Sequence, residues 1–231
     1  MGDDRGLPDE RPAHRVFVSA FRIDRLEVSV GSYERCVRDG ACRPPGTAGS
    51  ETRSDYFSSP RYRDYPVVGV TWQGATAYCR WRHARLPTEA EWEKAARGTD
   101  GRLYPWGSRF DPTRLNYCDR RCHLPWRDGR HDDGSEDTTP VDAYPAGASP
   151  YGALGMAGDV WEWVADRYDP TYYAHSPARD PTGPRGGTQR VTRGGGIFDD
   201  AVFTRATTRR RFVPGVASTS TGLRCVEPAP G

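Results

Sequence analysis

Lysine is all but missing from this chain: Lys94 is the only one among 33 basic residues, and arginine supplies the rest. That reflects coding bias before function, and a formal net charge of +2 gives no electrostatic reason to expect nucleic acid. Arg209-Arg210-Arg211 is too short for a nucleic-acid stripe. No apolar run approaches the ~20 residues of a membrane span. The opening residues, MGDDRGLPDERPAH, are polar and lack the apolar core of a signal peptide. Gly-x-Ser-x-Gly elbows and phosphate loops do not occur. His14, His83, His123, His131 and His175 are scattered, with no His-x3-His-x-Glu spacing, and read as solvated loop residues.

What is present is aromatic and turn-rich. Aromatic residues make up 11% of the chain against 35% apolar overall, so the core leans on Trp, Tyr and Phe. The 26 glycines and 20 prolines predict short regular elements joined by many turns. No linker or fixed-period repeat divides the sequence, so residues 1–231 are read as one domain.

The best-defined element is RLPTEAEWEKAAR, residues 85–97. Thr88 stands at an N-cap position and Glu91 completes a capping box. Glu89 and Glu91 suit the first turn, Lys94 and Arg97 the last, and Gly98 the exit. Trp92, Ala95 and Ala96 form a buried stripe, so this helix reads as a packing keystone and not a catalytic centre. Ser29 caps a helix bearing Val30, Tyr33 and Val37, and a further helix is predicted over Trp72–Ala84. Strands are predicted at 14–18, 21–23, 66–70, 140–142 and 222–226, with Trp161 and Trp163 packing from alternate positions. Residues 43–64, 169–189 and 197–221 read as loops, with a helical turn near 170–174.

Six cysteines include two close pairs, Cys36 with Cys42 and Cys118 with Cys122. Zinc competes with disulfides for such a set, but the Cys-x2-Cys spacing is absent; reduced thiols are the other alternative. Disulfides imply an oxidising, extracytoplasmic or secreted setting, and with no signal peptide the expectation is that the chain begins inside a longer one.

The ordered blocks Glu27-Val28, PVVGVTW (66–72), AYCRW (77–81), RLPTEAEWEKAARG (85–98), YPWG (104–107), TTPV (138–141), GMAGDVWEW (155–163), RVTRGGG (190–196) and GLRC (222–225) resemble the formylglycine-generating enzyme, or sulfatase-modifying factor, family. The resemblance runs from about Pro12 to Cys225. It implies a loop-rich α+β fold related to C-type-lectin-like domains, with the family's opening strand truncated before Met1. It also implies that Cys79 pairs with Cys225, which would constrain the unfolded chain by ~4–5 kcal/mol.

Founding members of that family oxidise a substrate cysteine to formylglycine with copper(I) held by two thiolates, as a soft ion requires. By resemblance those cysteines fall within 194–211, where Asp199 occupies the first position and Ala201 to Phe203 the second. The serine of the family's Gly-Gly-Ser motif is Gly196 here. No copper and no formylglycine synthesis are therefore expected. Calcium is expected instead, as a hard cation held by oxygen. By resemblance one site would use the Asn116 side chain, the Tyr117 carbonyl, Asp133 and the Ser135 carbonyl. A second would use the Gly158 and Val160 carbonyls and Glu162; it has lost the side-chain oxygen usual at Gly155, which Asp159 could replace.

Two function classes follow. One is a calcium-stabilised, non-catalytic module binding a protein, peptide or glycan through its loops, with Phe198, Phe203, Arg209 and Phe212 on the binding surface. The other is an oxidoreductase or other enzyme with an altered site around Asp199, Asp200 and Arg205.

Overall fold

In the computed structural model, which describes residues 1–229, the keystone helix forms as the sequence predicts. Helix α3 (Glu89–Arg97) opens with a complete capping box: Glu91 N donates to Thr88 Oγ1 at 3.2 Å, and Thr88 N donates to Glu91 Oε2 at 2.7 Å. Gly98 ends it with φ +66°. The helix is buried on more than its Trp92 stripe, because Glu89, Glu91 and Glu93 are also buried. Arginines from distant segments meet two of them: Arg209 Nε donates to Glu89 Oε1 at 2.7 Å and Arg193 Nη2 to Glu93 Oε2 at 2.7 Å, while the nearby Arg85 grips Glu91 with both Nη atoms. Charges this deep must be paired to survive desolvation, so the helix is fixed by ions as well as by apolar contact.

Seven residues of strand β2 (Trp161–Arg167) centre the main sheet, ordered β4-β3-β2-β5. Strands β3 (Arg190–Arg193) and β4 (Arg209–Phe212) add antiparallel neighbours, while β5 (Thr221–Gly222) runs parallel to β2. A second, two-stranded sheet pairs β1 (Phe21–Ile23) with β6 (Val226–Pro228). Helices α1 (Val30–Arg38) and α2 (Trp72–Trp81) take their N-caps from Ser29 and Thr71. One core cluster joins α1, α2 and residues 67–70 to Trp163 and Leu223; another sets Trp92 and Met156 against Val164 and Val191.

Several expected elements are shorter or absent. Helix α2 stops at Trp81, not Ala84, because His83 turns out at φ +57°. Of 14–18 only Phe17 makes a bridge, to Arg179. Residues 66–70 are buried but form no ladder: Val67 N bonds Val28 O, whereas Gly69 N bonds Ser218 O, so each amide meets a different segment. Residues 140–142 make one long-range backbone tie, Val141 N to Asp64 O, and a local turn from Ala143 N to Pro140 O. The last predicted strand divides into β5 and β6. The helical turn near 170–174 is a short 3-10 turn at Tyr172–Ala174.

All six cysteines are bridged, as Cys36–Cys42, Cys118–Cys122 and Cys79–Cys225. Among the described residues, no helix is long and apolar enough to cross a membrane.

Candidate functional site

Gly194 and Gly195 leave β3 with φ +102° and +78°, a path that packs Gly194 against the Trp92 ring and swings the next residues over Trp161. There Asp199 Oδ2 accepts hydrogen bonds from Trp161 Nε1 at 2.7 Å and Gly196 N at 2.9 Å. Burial pushes the Asp199 carboxyl above its ordinary pKa, with the Arg210 guanidinium opposing. Asp200 turns elsewhere: its Oδ1 caps a turn through Val202 N at 2.8 Å and Phe203 N at 3.3 Å. Arg205 faces Glu10, donating from Nη2 to Oε1 at 3.0 Å. Asp199, Asp200 and Arg205 thus share a segment but engage three separate sets of partners.

Of the four expected surface residues, Arg209 is buried and Phe198 and Phe212 are half-buried. Arg209 is only 4% exposed, gripping Glu89 with Nε and Nη2, and Phe212 has its ring 5.5 Å from Trp163. Phe203 is exposed and Phe198 half-buried. Their neighbourhood gains Trp126, 54% exposed, whose Nε1 donates to Phe198 O at 2.8 Å, and the exposed Val202. His123 lies edge-on to Phe198 at 5.9 Å. Trp126 was legible only as a tryptophan in a polar loop; nothing local tied it to Phe198.

Of the first calcium set, Asn116 is buried and donates from Nδ2 to Asp137 O at 2.9 Å and Asp159 Oδ1 at 2.7 Å. The Tyr117 carbonyl accepts from Asp119 N, and Ser135 N donates to Asp133 Oδ1 at 2.9 Å. Asp119 joins this group unforeseen, because its Oδ2 accepts from Asp133 N at 2.6 Å. Burial, with Asp119 adding, pushes the Asp133 carboxyl up to about 6. Tyr144 reaches Asp133 Oδ2 at 3.4 Å. Asn116 Nδ2 and Ser135 Oγ share the acceptor Asp137 O, which ties these loops together; carboxylate, amide and carbonyl oxygens are the donor types calcium takes.

The second set does not fit. Gly158 and Val160 enter β2 as expected, but Glu162 is already saturated: Arg224 Nε and Nη2 each reach it at 2.7 Å, and Trp92 Nε1 at 2.8 Å. Among the described residues no three His, Cys, Asp or Glu side chains converge on a metal position. Asp159 lies beside Asn116, and burial pushes its carboxyl up to about 7. Glu27, missed as a functional residue although it stood among the sequence blocks, packs against Gly155.

The model of the sulfatase-modifying factor enzyme 1-like domain matches residues 1–229. The chain belongs to this family. It is 42% identical over 198 residues to a formylglycine-generating enzyme of Streptomyces coelicolor, a match covering 81% of this chain and 58% of that protein. It is 40% identical over 272 residues to the inactive C-alpha-formylglycine-generating enzyme 2 of Mus musculus, covering 99% of this chain and 82% of the relative. Serine/threonine-protein kinase pkn1 of Chlamydia caviae is 36% identical across 98% of this chain, which spans only 36% of the kinase. In fold, the chain is similar to PvdO from Pseudomonas aeruginosa, with TM-score 0.78, 23% identity and coverage of 99% and 89%. The family's α+β, loop-rich fold is therefore shown.

Proposed function

We propose that this chain is a non-catalytic member of the sulfatase-modifying factor family that binds a protein or peptide, steadied by calcium. The observation carrying the reading is the chemistry at Asp199. A carboxylate already bonded to Trp161 Nε1 and Gly196 N stands where the resemblance puts a copper-binding thiolate. Every cysteine is tied in a disulfide, so no thiolate is left for copper(I). The mouse relative, named as inactive, supports the existence of such members. The exposed Trp126 and Phe203, with the half-buried Phe198 whose carbonyl Trp126 bonds, give the kind of surface that anchors partners. Calcium at Asn116, Asp133 and the Tyr117 and Ser135 carbonyls would hold the adjoining loop, and three disulfides favour an extracytoplasmic setting.

The test has two arms. A CxPxR peptide incubated with copper-loaded protein and oxygen stays unoxidised; aldehyde formation defeats the reading. Peptides selected from a displayed library lose binding to Trp126→Ala; selections indifferent to that change place the surface elsewhere.

A further inference from the structure

Glu27 lies in the turn between β1 and α1, 4% exposed, and its Oε1 has no hydrogen-bond partner. Arg224, the cation whose charge acts on it, is fully used. Nε and Nη2 go to Glu162, Nη2 also to Leu154 O, and Nη1 to the carbonyls of Asp24 and Arg25. Arg224 and Glu162 therefore neutralise each other and leave Glu27 unmatched. Asp159, 5% exposed, meets only neutral donors: Asn116 Nδ2 at 2.7 Å, Thr139 N at 3.0 Å and Thr139 Oγ1 at 3.4 Å. Both carboxylates line one cavity of about 10 Å³ together with Asn116, Thr139, Tyr144 and Gly155, room for one ion or one water.

Arg114, also on that wall, is committed to Asp111 and to Ala146 O. The wall thus carries two carboxylates with no dedicated cation. Gly155 completes the arrangement: a Cβ built there would sit 2.3–2.4 Å from the Glu27 carboxylate atoms, and its φ of +65° itself favours glycine. The missing side chain at Gly155 is what makes room for Glu27.

We propose that Glu27 and Asp159 bind one calcium ion in this cavity. The cation is fixed by net charge and by oxygen donors alone, and its binding does not depend on the Asn116–Ser135 site or on the binding-module reading. Glu162, saturated by Arg224, takes no part.

Chelator-stripped protein is titrated with calcium by calorimetry, with terbium luminescence sensitised through Tyr144 as a second readout. Wild type, Glu27→Gln, Asp159→Asn and Asp133→Asn are compared. Glu27→Gln keeps the shape of the side chain and removes a charge repelling Asp159, so in chelator its Tm equals or exceeds that of wild type. At a hundredfold excess over Kd, calcium raises the wild-type Tm by roughly 5–10 °C through this site. The Glu27-dependent event disappears in Glu27→Gln and Asp159→Asn and persists in Asp133→Asn. Calcium binding by Glu27→Gln with unchanged stoichiometry and affinity overturns the proposal, as does a wild type indifferent to calcium. Events lost only in Asp133→Asn also overturn it while leaving the Asn116–Ser135 site standing.

Discussion

Removing Cys79–Cys225 by the double substitution Cys79→Ala/Cys225→Ala should be the most damaging of the three disulfide deletions. The bridge closes 146 residues of sequence, against 6 for Cys36–Cys42 and 4 for Cys118–Cys122. Loop-closure entropy then assigns ~5 kcal/mol to the long bridge and ~2 kcal/mol to each short one. Each pair is buried and each loses the same atoms, so the packing costs are similar and the ranking reports chain constraint. A domain of ordinary stability, ~5–15 kcal/mol, would lose a third or more of its margin with the long bridge alone. Equilibrium unfolding in guanidinium chloride measures this, the midpoint of each double variant being compared with wild type. A midpoint for the Cys79/Cys225 variant at or above that of the Cys36/Cys42 variant would refute the reasoning.

Arg224→Met leaves Glu162 as an uncompensated buried charge and should cost ~3–5 kcal/mol in the same assay; a loss below ~1 kcal/mol would mean that the pair is not desolvated. Asp166, buried beside Glu89, has its pKa pushed from 3.8 to about 8 by burial and then by the Glu89 carboxylate. A raised carboxyl pKa in the folded state favours the protonated form there. Its contribution is therefore complete below pH ~4 and lost as pH rises through about 8. The stability of wild type minus that of Asp166→Asn should fall across that window, by up to ~1.4 kcal/mol per pH unit. A flat or rising difference contradicts the assignment.

Helix α3 was readable because its signals are local: a cap, a box and a terminal glycine all lie within eleven residues, Thr88 to Gly98. The Ser29 cap of α1 was readable for the same reason. Arg209 was not. It sits in a run of three arginines that resembles a solvated edge, and its partner Glu89 lies 120 residues earlier. Residues 66–70 looked like a strand because burial and β-branched composition accompany strands, yet a strand also needs one continuous neighbour, which only the tertiary arrangement decides. The candidate site divides likewise. Asn116, Asp133 and Ser135 were named as expected calcium ligands from the family resemblance, whereas Asp119, Trp126 and Glu27 gain meaning from atoms brought to them by remote segments. The saturation of Glu162 by Arg224 was equally invisible in the sequence, since both residues belong to recognised blocks and neither reveals its partner.

Cys225 and strand β6 close the fold from its far end: they tie back to Cys79, to Arg85 and to β1. A ribosome adding ~5–20 residues per second delivers Cys225 roughly 7–30 s after Cys79. During that interval the Cys79 thiol waits, with Cys36 and Cys42 already emerged and able to capture it. Native pairing of Cys79 therefore requires that any wrong bridge formed in that interval be reshuffled once Cys225 has emerged.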